Sequence, residues 1–212
     1  MCAVRKAFTL MEILVAAGLL GLLLLGFLLF LLPTLKVMGR ASAQTEVQQQ
    51  ALLAFERIDR ELRTSGSTAV GVFSQSLVGA GQWPGLCLTP LQGVDGQGQP
   101  NWAPRMLAFW WDSSEQRLMV KTWPPKNPPS FAQEPVLSRP ARLTAIEFHD
   151  LVHGLNGSER RLASGVTAFD VVHGGTGSAL VAPLTLQIEL QRQVGHEHEQ
   201  FKFHKVLTLR TL

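Results

Sequence analysis

The chain has 212 residues, 46% of them hydrophobic and 17% charged, with a formal net charge of +3, enough for one ordinary domain plus an appendage. This composition excludes a disordered chain, a disulfide scaffold, a collagen-like repeat and a polytopic membrane protein. Removing Arg5, Lys6, Lys36 and Arg40 from the 19 Lys+Arg, and Glu12 from the 16 Asp+Glu, leaves 15 of each, so the charge excess sits at the N-terminus and no nucleic-acid partner is indicated.

Ile13–Leu32 is built only from Ile, Leu, Val, Ala, Phe and Gly. As a helix, these residues span about 30 Å, the thickness of a bilayer core. Arg5 and Lys6 precede the run and no acidic residue lies among the first eleven, which predicts a single span with a cytoplasmic N-terminus and the rest of the chain outside the inner membrane. A cleaved secretory signal is the competing reading, with Ala41-Ser42-Ala43 as its small-residue site. The apolar run is longer than the usual secretory core of about 7–15 residues. Glu12 stands at the edge of this run, where a carboxylate costs roughly 2–3 kcal/mol near the bilayer centre and less at the interface. It is explained either by a headgroup-level position near the helix N-terminus or by a partner. Gly18, Gly21 and Gly26 either permit close helix approach or simply face lipid. Pro33 predicts a kink or local end of the helix.

The stretch Lys6-Ala7-Phe8-Thr9-Leu10-Met11-Glu12-Ile13-Leu14-Val15-Ala16 resembles the processing signal of type IV pilins and the related pseudopilins. That pattern is a short basic leader, a small residue, then Phe-Thr-Leu-x-Glu running into an apolar helix. Here Ala7 stands where the family usually has Gly. The resemblance implies cleavage by a prepilin peptidase between Ala7 and Phe8, and N-methylation of Phe8. It also implies an assembly salt bridge from Glu12, the fifth mature residue, to the N-terminal ammonium of a neighbouring subunit. Removing one partner of such a buried pair costs about 3–5 kcal/mol, because the other charge stays buried.

Beyond the membrane, Val47, Ala51, Phe55, Ile58 and Leu62 form one apolar stripe over Gln44–Arg63, predicting an amphipathic helix packed on its own sheet. Glu56–Arg60 and Asp59–Arg63 are i,i+4 pairs in the favourable order, and Ser65-Gly66-Ser67 ends the helix. Val78–Arg105 and Pro124–Pro135 are rich in Gly and Pro and are expected to be long loops, with Trp83 and Trp102 as packing residues. Met106–Trp111 and Arg117–Trp123 read as a hairpin around Asp112–Glu115. Leu143–Phe148 and Val166–Val172 read as short strands. Leu184–Leu190 alternates cleanly, and Phe201–Leu209 follows after a turn at Val194–His198.

A helix followed by hairpins makes the fold class α+β, with an antiparallel β-sheet on the end of a long helix. The order resembles the pilin fold, in particular the larger minor pilins of the PilW type and the J-type pseudopilin of type II secretion. The suggestive residues are Leu52–Arg63 and the Gly165–Phe169 strand before a terminal hairpin. The corresponding divisions are a leader over 1–7, a transmembrane filament-core helix over 8–35, its amphipathic continuation over 36–65, and a β-rich globular domain over 66–212.

Chemistry is sparse. His196-Glu197-His198-Glu199, with His204 nearby, reads as a polar turn more economically than as a zinc site, and lacks the helical His-Glu-x-x-His spacing. Asp95–Gln99 lacks the carboxylates of a calcium loop. No Walker loop, Gly-x-Ser-x-Gly element or dinucleotide fingerprint stands in context. With Cys2 removed, Cys87 is expected to be a semi-buried free thiol. The expectation is therefore a non-enzymatic subunit without cofactor or metal, anchored in the inner membrane and then incorporated in a pilus or pseudopilus. The resemblance implies as partners the prepilin peptidase, other minor pilins or pseudopilins, the major pilin and the inner-membrane assembly platform. The alternative is a single-span anchored binding or sensor domain; a secreted metal-dependent enzyme is a third.

Overall fold

The computed structural model describes residues 9–73, 84–123, 143–154, 158–174, 183–194 and 197–208. Helix α1 runs without interruption from Leu10 to Arg63, 54 residues, or about 80 Å. Pro33 lies inside it, so the helix does not end there. A proline removes one backbone hydrogen bond at a cost of roughly 3 kcal/mol, and the strong helix formers around it carry the turn through. The division between the two halves of α1 is one of packing. Apart from Leu31 and Thr34, every residue from Leu10 to Ser42 is exposed, and burial begins at Ala43. The expected stripe is buried in full, with Ala54 added. Asp59 pairs with Arg63 at 3.0 Å and Arg57 with Glu61 at 3.0 Å. The helix stops at a Thr64 cap, and a short 3-10 turn over Ser67–Ala69 follows.

Among the described residues ten strands follow: β1 (Val70–Phe73), β2 (Gly85–Leu88), β3 (Leu91–Val94), β4 (Pro100–Trp102), β5 (Met106–Asp112), β6 (Arg117–Trp123), β7 (Ser158–Ser164), β8 (Val166–His173), β9 (Leu184–Val194) and β10 (Glu197–Leu207), with helix α2 (Ala145–His153) between β6 and β7. They form a five-stranded sheet in the order β1-β2-β5-β6-β7, a three-stranded sheet β10-β9-β8 and the small hairpin β3-β4. All pairings are antiparallel. The class is α+β, with the sheet divided into three rather than continuous.

The main core lies where α1 meets β7, β9 and β10, and where β8 crosses β2, β5 and β6. Ile58 and Leu62 of α1, Leu86 and Phe109 of the large sheet, and Leu186 and Ile188 of β9 fill it. Each such side chain contributes about 1.5–3 kcal/mol by leaving water. The opposite face of the large sheet is also covered. Cys87, Met106, Ala108 and Trp110 pack against Phe148, Leu151 and Val152 of α2. Burial on both faces is why Met106–Trp110 is apolar at every position.

Three expectations are corrected. Leu143–Phe148 is not a strand: Thr144 caps α2, and the apolar face continues to Leu151 and Val152 at helical spacing. Val78–Arg105 is not one long loop, since β2, β3 and β4 lie within it; they are only three or four residues long, and their Gly and Pro residues disguise them. Strand β9 extends to Val194 and β10 resumes at Glu197, so the terminal turn is tighter than Val194–His198 and His198 belongs to a strand. The stretch Pro124–Pro135 and Trp83 lie outside the described residues, as does Leu209. Trp102 is buried, 2% exposed, against Ala69 and Leu91.

Candidate assembly site at the start of the long helix

The first turn of α1 contains a reciprocal cap. Thr9 is the N-cap residue and Glu12 the third helical residue. The Glu12 backbone N–H donates to Thr9 Oγ1 at 3.3 Å. In return, Glu12 Oε2 accepts from the Thr9 backbone N–H at 3.0 Å and from Thr9 Oγ1 at 3.1 Å. Two otherwise unpartnered donors at the helix start are thereby satisfied, and a carboxylate is placed at the positive end of the dipole. Thr9 is the residue that sequence reasoning missed. The signal was present in Thr9-Leu10-Met11-Glu12, since Thr-x-x-Glu before an apolar run is a capping-box pattern. Ala7 and Phe8 lie outside the described residues.

From this cap the apolar half of α1 runs bare. Leu10, Leu23, Phe30 and Met38 are 82%, 72%, 74% and 63% exposed, and this segment is long and apolar enough to cross a membrane. A Cβ added at Gly18, Gly21, Gly26 or Gly39 would meet nothing within 4 Å. Nothing among the described residues of this chain therefore needs those positions to be small.

The second half of α1 is fastened to the β-rich part by polar ties as well as by the core. Arg40 Nε meets Glu199 Oε1 at 2.9 Å, Arg192 meets Glu46 at 2.8 Å, and Lys205 meets Asp59 at 3.1 Å. Gln50 Oε1 accepts from the Ser164 backbone N–H at 3.3 Å. Burial tends to raise the Asp59 carboxyl pKa, but hydrogen bonds and charge from Arg63 and Lys205 outweigh it and hold it below the ordinary value. Any force on the apolar segment is thus carried directly to β9 and β10.

Elsewhere several titratable groups hold the fold together. Lys121 is 1% exposed on β6, yet its ammonium donates to Val152 O, Gly154 O and Glu159 Oε1, the last at 3.0 Å. It closes the C-terminal end of α2, where carbonyls lack helical partners and a cation is favoured. Cys87 is fully buried rather than half-buried, and burial pushes its thiol up to about 12, which makes it inert. Burial and the neighbouring His149 lower the pKa of His153 against the pull of Asp112 and Asp150. His198 and His204 sit on β10 opposite Gln193 and Gln187, and His196 lies outside the described residues. Asp95 Oδ1 accepts from the backbone N–H groups of Gln97 and Gln99 at 2.9 and 2.7 Å, so this carboxylate organises the β3-β4 turn. Among the described residues no group of three or more His, Cys, Asp or Glu is placed to hold a metal ion. Comparison with protein-family models, curated proteins and solved structures gives no match to this chain.

Proposed function

We propose that this chain is a minor type IV pilin or pseudopilin, a structural subunit that primes or tips a pilus, secretion or competence filament. The observation that carries the reading is the start of α1. A small residue and Phe8-Thr9-Leu10-Met11-Glu12 lead without a break into an apolar helix left bare, while the other half of that helix is locked into the β-rich part. In this reading the prepilin peptidase cuts after Ala7 and Phe8 is methylated. The apolar segment then leaves the bilayer to pack among like helices of other minor subunits and the major pilin. Glu12 meets a neighbour's terminal ammonium there, in surroundings with little water, where an unpaired carboxylate would be costly. The glycines at 18, 21, 26 and 39, which meet nothing among the described residues, become places of close helix approach. Leu52 and Leu53, 59% and 63% exposed on the outer part of α1, extend the surface open to neighbouring subunits. Catalysis has no part in this role.

Shearing fibres from cells that make the chain, then probing the fibre fraction with an antibody to the β-rich part, tests the proposal. The chain should be found there, and its confinement to the membrane fraction would refute the reading.

The second reading, an anchored binding or sensor domain, draws support from the Thr9–Glu12 cap itself, which gives Glu12 a role inside one chain. It predicts that Gln at position 12, which completes the same cap, is functionally equivalent to Glu.

A further inference from the structure

The geometry points to a surface metal site on α2, formed by His149 and His153 as a two-imidazole chelate for a borderline divalent transition cation such as Zn2+. The two residues are four apart on a helix, so their side chains rise from the same face one turn apart. Their ring centroids are 4.4 Å apart with the planes at 49°. Two nitrogens bound to one tetrahedral zinc at 2.0–2.1 Å stand about 3.3 Å apart, with their ring centroids about 5 Å apart, so the rings have to open and turn from their present spacing to share one ion. The second nitrogen of each ring remains for the hydrogen bond that fixes its tautomer.

The helix presenting the pair is held rigid. A free nine-residue helix would be marginal in water, but α2 has the Thr144–Glu147 cap at one end and the Lys121 ammonium at the other. Phe148, Leu151 and Val152 are buried beneath it. Little backbone entropy is left to lose on binding, which is what makes two ligands useful. His153 is exposed and the His149 side chain is 28% exposed, so a hydrated ion has access. The local charge is mixed. Asp150 Oδ1 is 3.6 Å from His149 Nδ1, and Asp112 and Asp150 attract positive charge toward His153. Lys121 opposes them, but its own charge is matched by Glu159 at 3.0 Å. With two protein ligands, water completes the coordination, and the site binds rather than catalyses. It stands independently of the assembly role.

Zn2+ is titrated into the full chain in detergent against a chromophoric chelator, with His149→Ala, His153→Ala and His198→Ala compared. The expected result is one equivalent bound, weakened at least 10-fold by either α2 substitution and unchanged by His198→Ala. Equal binding by wild type and His153→Ala, at an exposed position that does not threaten folding, would overturn the proposal. So would loss of the equivalent in His198→Ala, which would place it on the terminal hairpin. In the unsubstituted chain Zn2+ should also protect His149 and His153 from carbethoxylation, as located by peptide mass. Unprotected rings would contradict the site without any variant.

Discussion

Replacing Glu12 with Gln separates the two roles that this side chain can have. A Gln at the third helical position completes a capping box as Glu does, so the bonds to the Thr9 N–H and Oγ1, 3.0 and 3.1 Å in the present chain, survive the change. What disappears is the charge. Its attraction to the helix dipole is worth about 0.3–1 kcal/mol, so α1 itself barely changes. The missing partner of an interchain ion pair in a dry helix core costs about 3–5 kcal/mol, or roughly 10²–10⁴-fold in incorporation. Thr9→Ala is the complement: it removes the cap, about 1 kcal/mol, and keeps the charge. The assay is the amount of chain in sheared fibres, normalised to the amount in the membrane. Glu12→Gln should be nearly absent from fibres, and Thr9→Ala should fall less than about 10-fold. Fibres containing Glu12→Gln at the normal level would refute the interchain pairing and leave Glu12 as a cap alone.

Gly85→Ala should lower stability by roughly 1–3 kcal/mol in denaturant unfolding followed by Trp fluorescence. A Cβ there would clash first with the backbone oxygen of Phe109 on the paired strand β5 and would lie 2.7 Å from Phe148 Cζ, straining the β2-β5 pairing as well as pushing on α2. Asp59 has a folded pKa lowered from its ordinary 3.8, so its contribution is complete above that value and is lost as the pH falls through the folded pKa. Asp59→Asn should cost about 1–2 kcal/mol at pH 7, and the gap from wild type should narrow below about pH 3.8. Cys87, with its thiol near 12 and 1% exposure, should resist alkylation in the folded chain at pH 8 and react fully in denaturant; fast native labelling would contradict its burial.

Sequence periodicity made the α1 stripe and the β5-β6 and β9-β10 hairpins legible, because Phe55 and Ile58 recur at helical spacing and Leu184–Leu190 alternate with polar residues on a half-wet strand. It failed where tertiary context decides. Lys121 lies in a strand whose charge suggests an exposed position, and only the end of α2, far away in sequence, makes burial affordable. The α2 helix is hidden in 143–148 alone, because its helical period shows only once Leu151 and Val152 of the next turn are included. A strand ending at Phe148 leaves out His149 and His153, and only the helix brings these two, four residues apart, onto one face. At the start of α1 the charge of Glu12 stands out against the apolar run, whereas its cap with Thr9 does not, since a residue joined to its own neighbours leaves no mark in hydropathy.

The most direct test of the account is the intact mass of the mature chain together with its N-terminal sequence. Processing as a pilin predicts a chain beginning at Phe8, lacking the first seven residues and carrying one added methyl on its amine. A chain that retains the residues before Phe8, or one that begins at Gln44 after secretory cleavage, would contradict it.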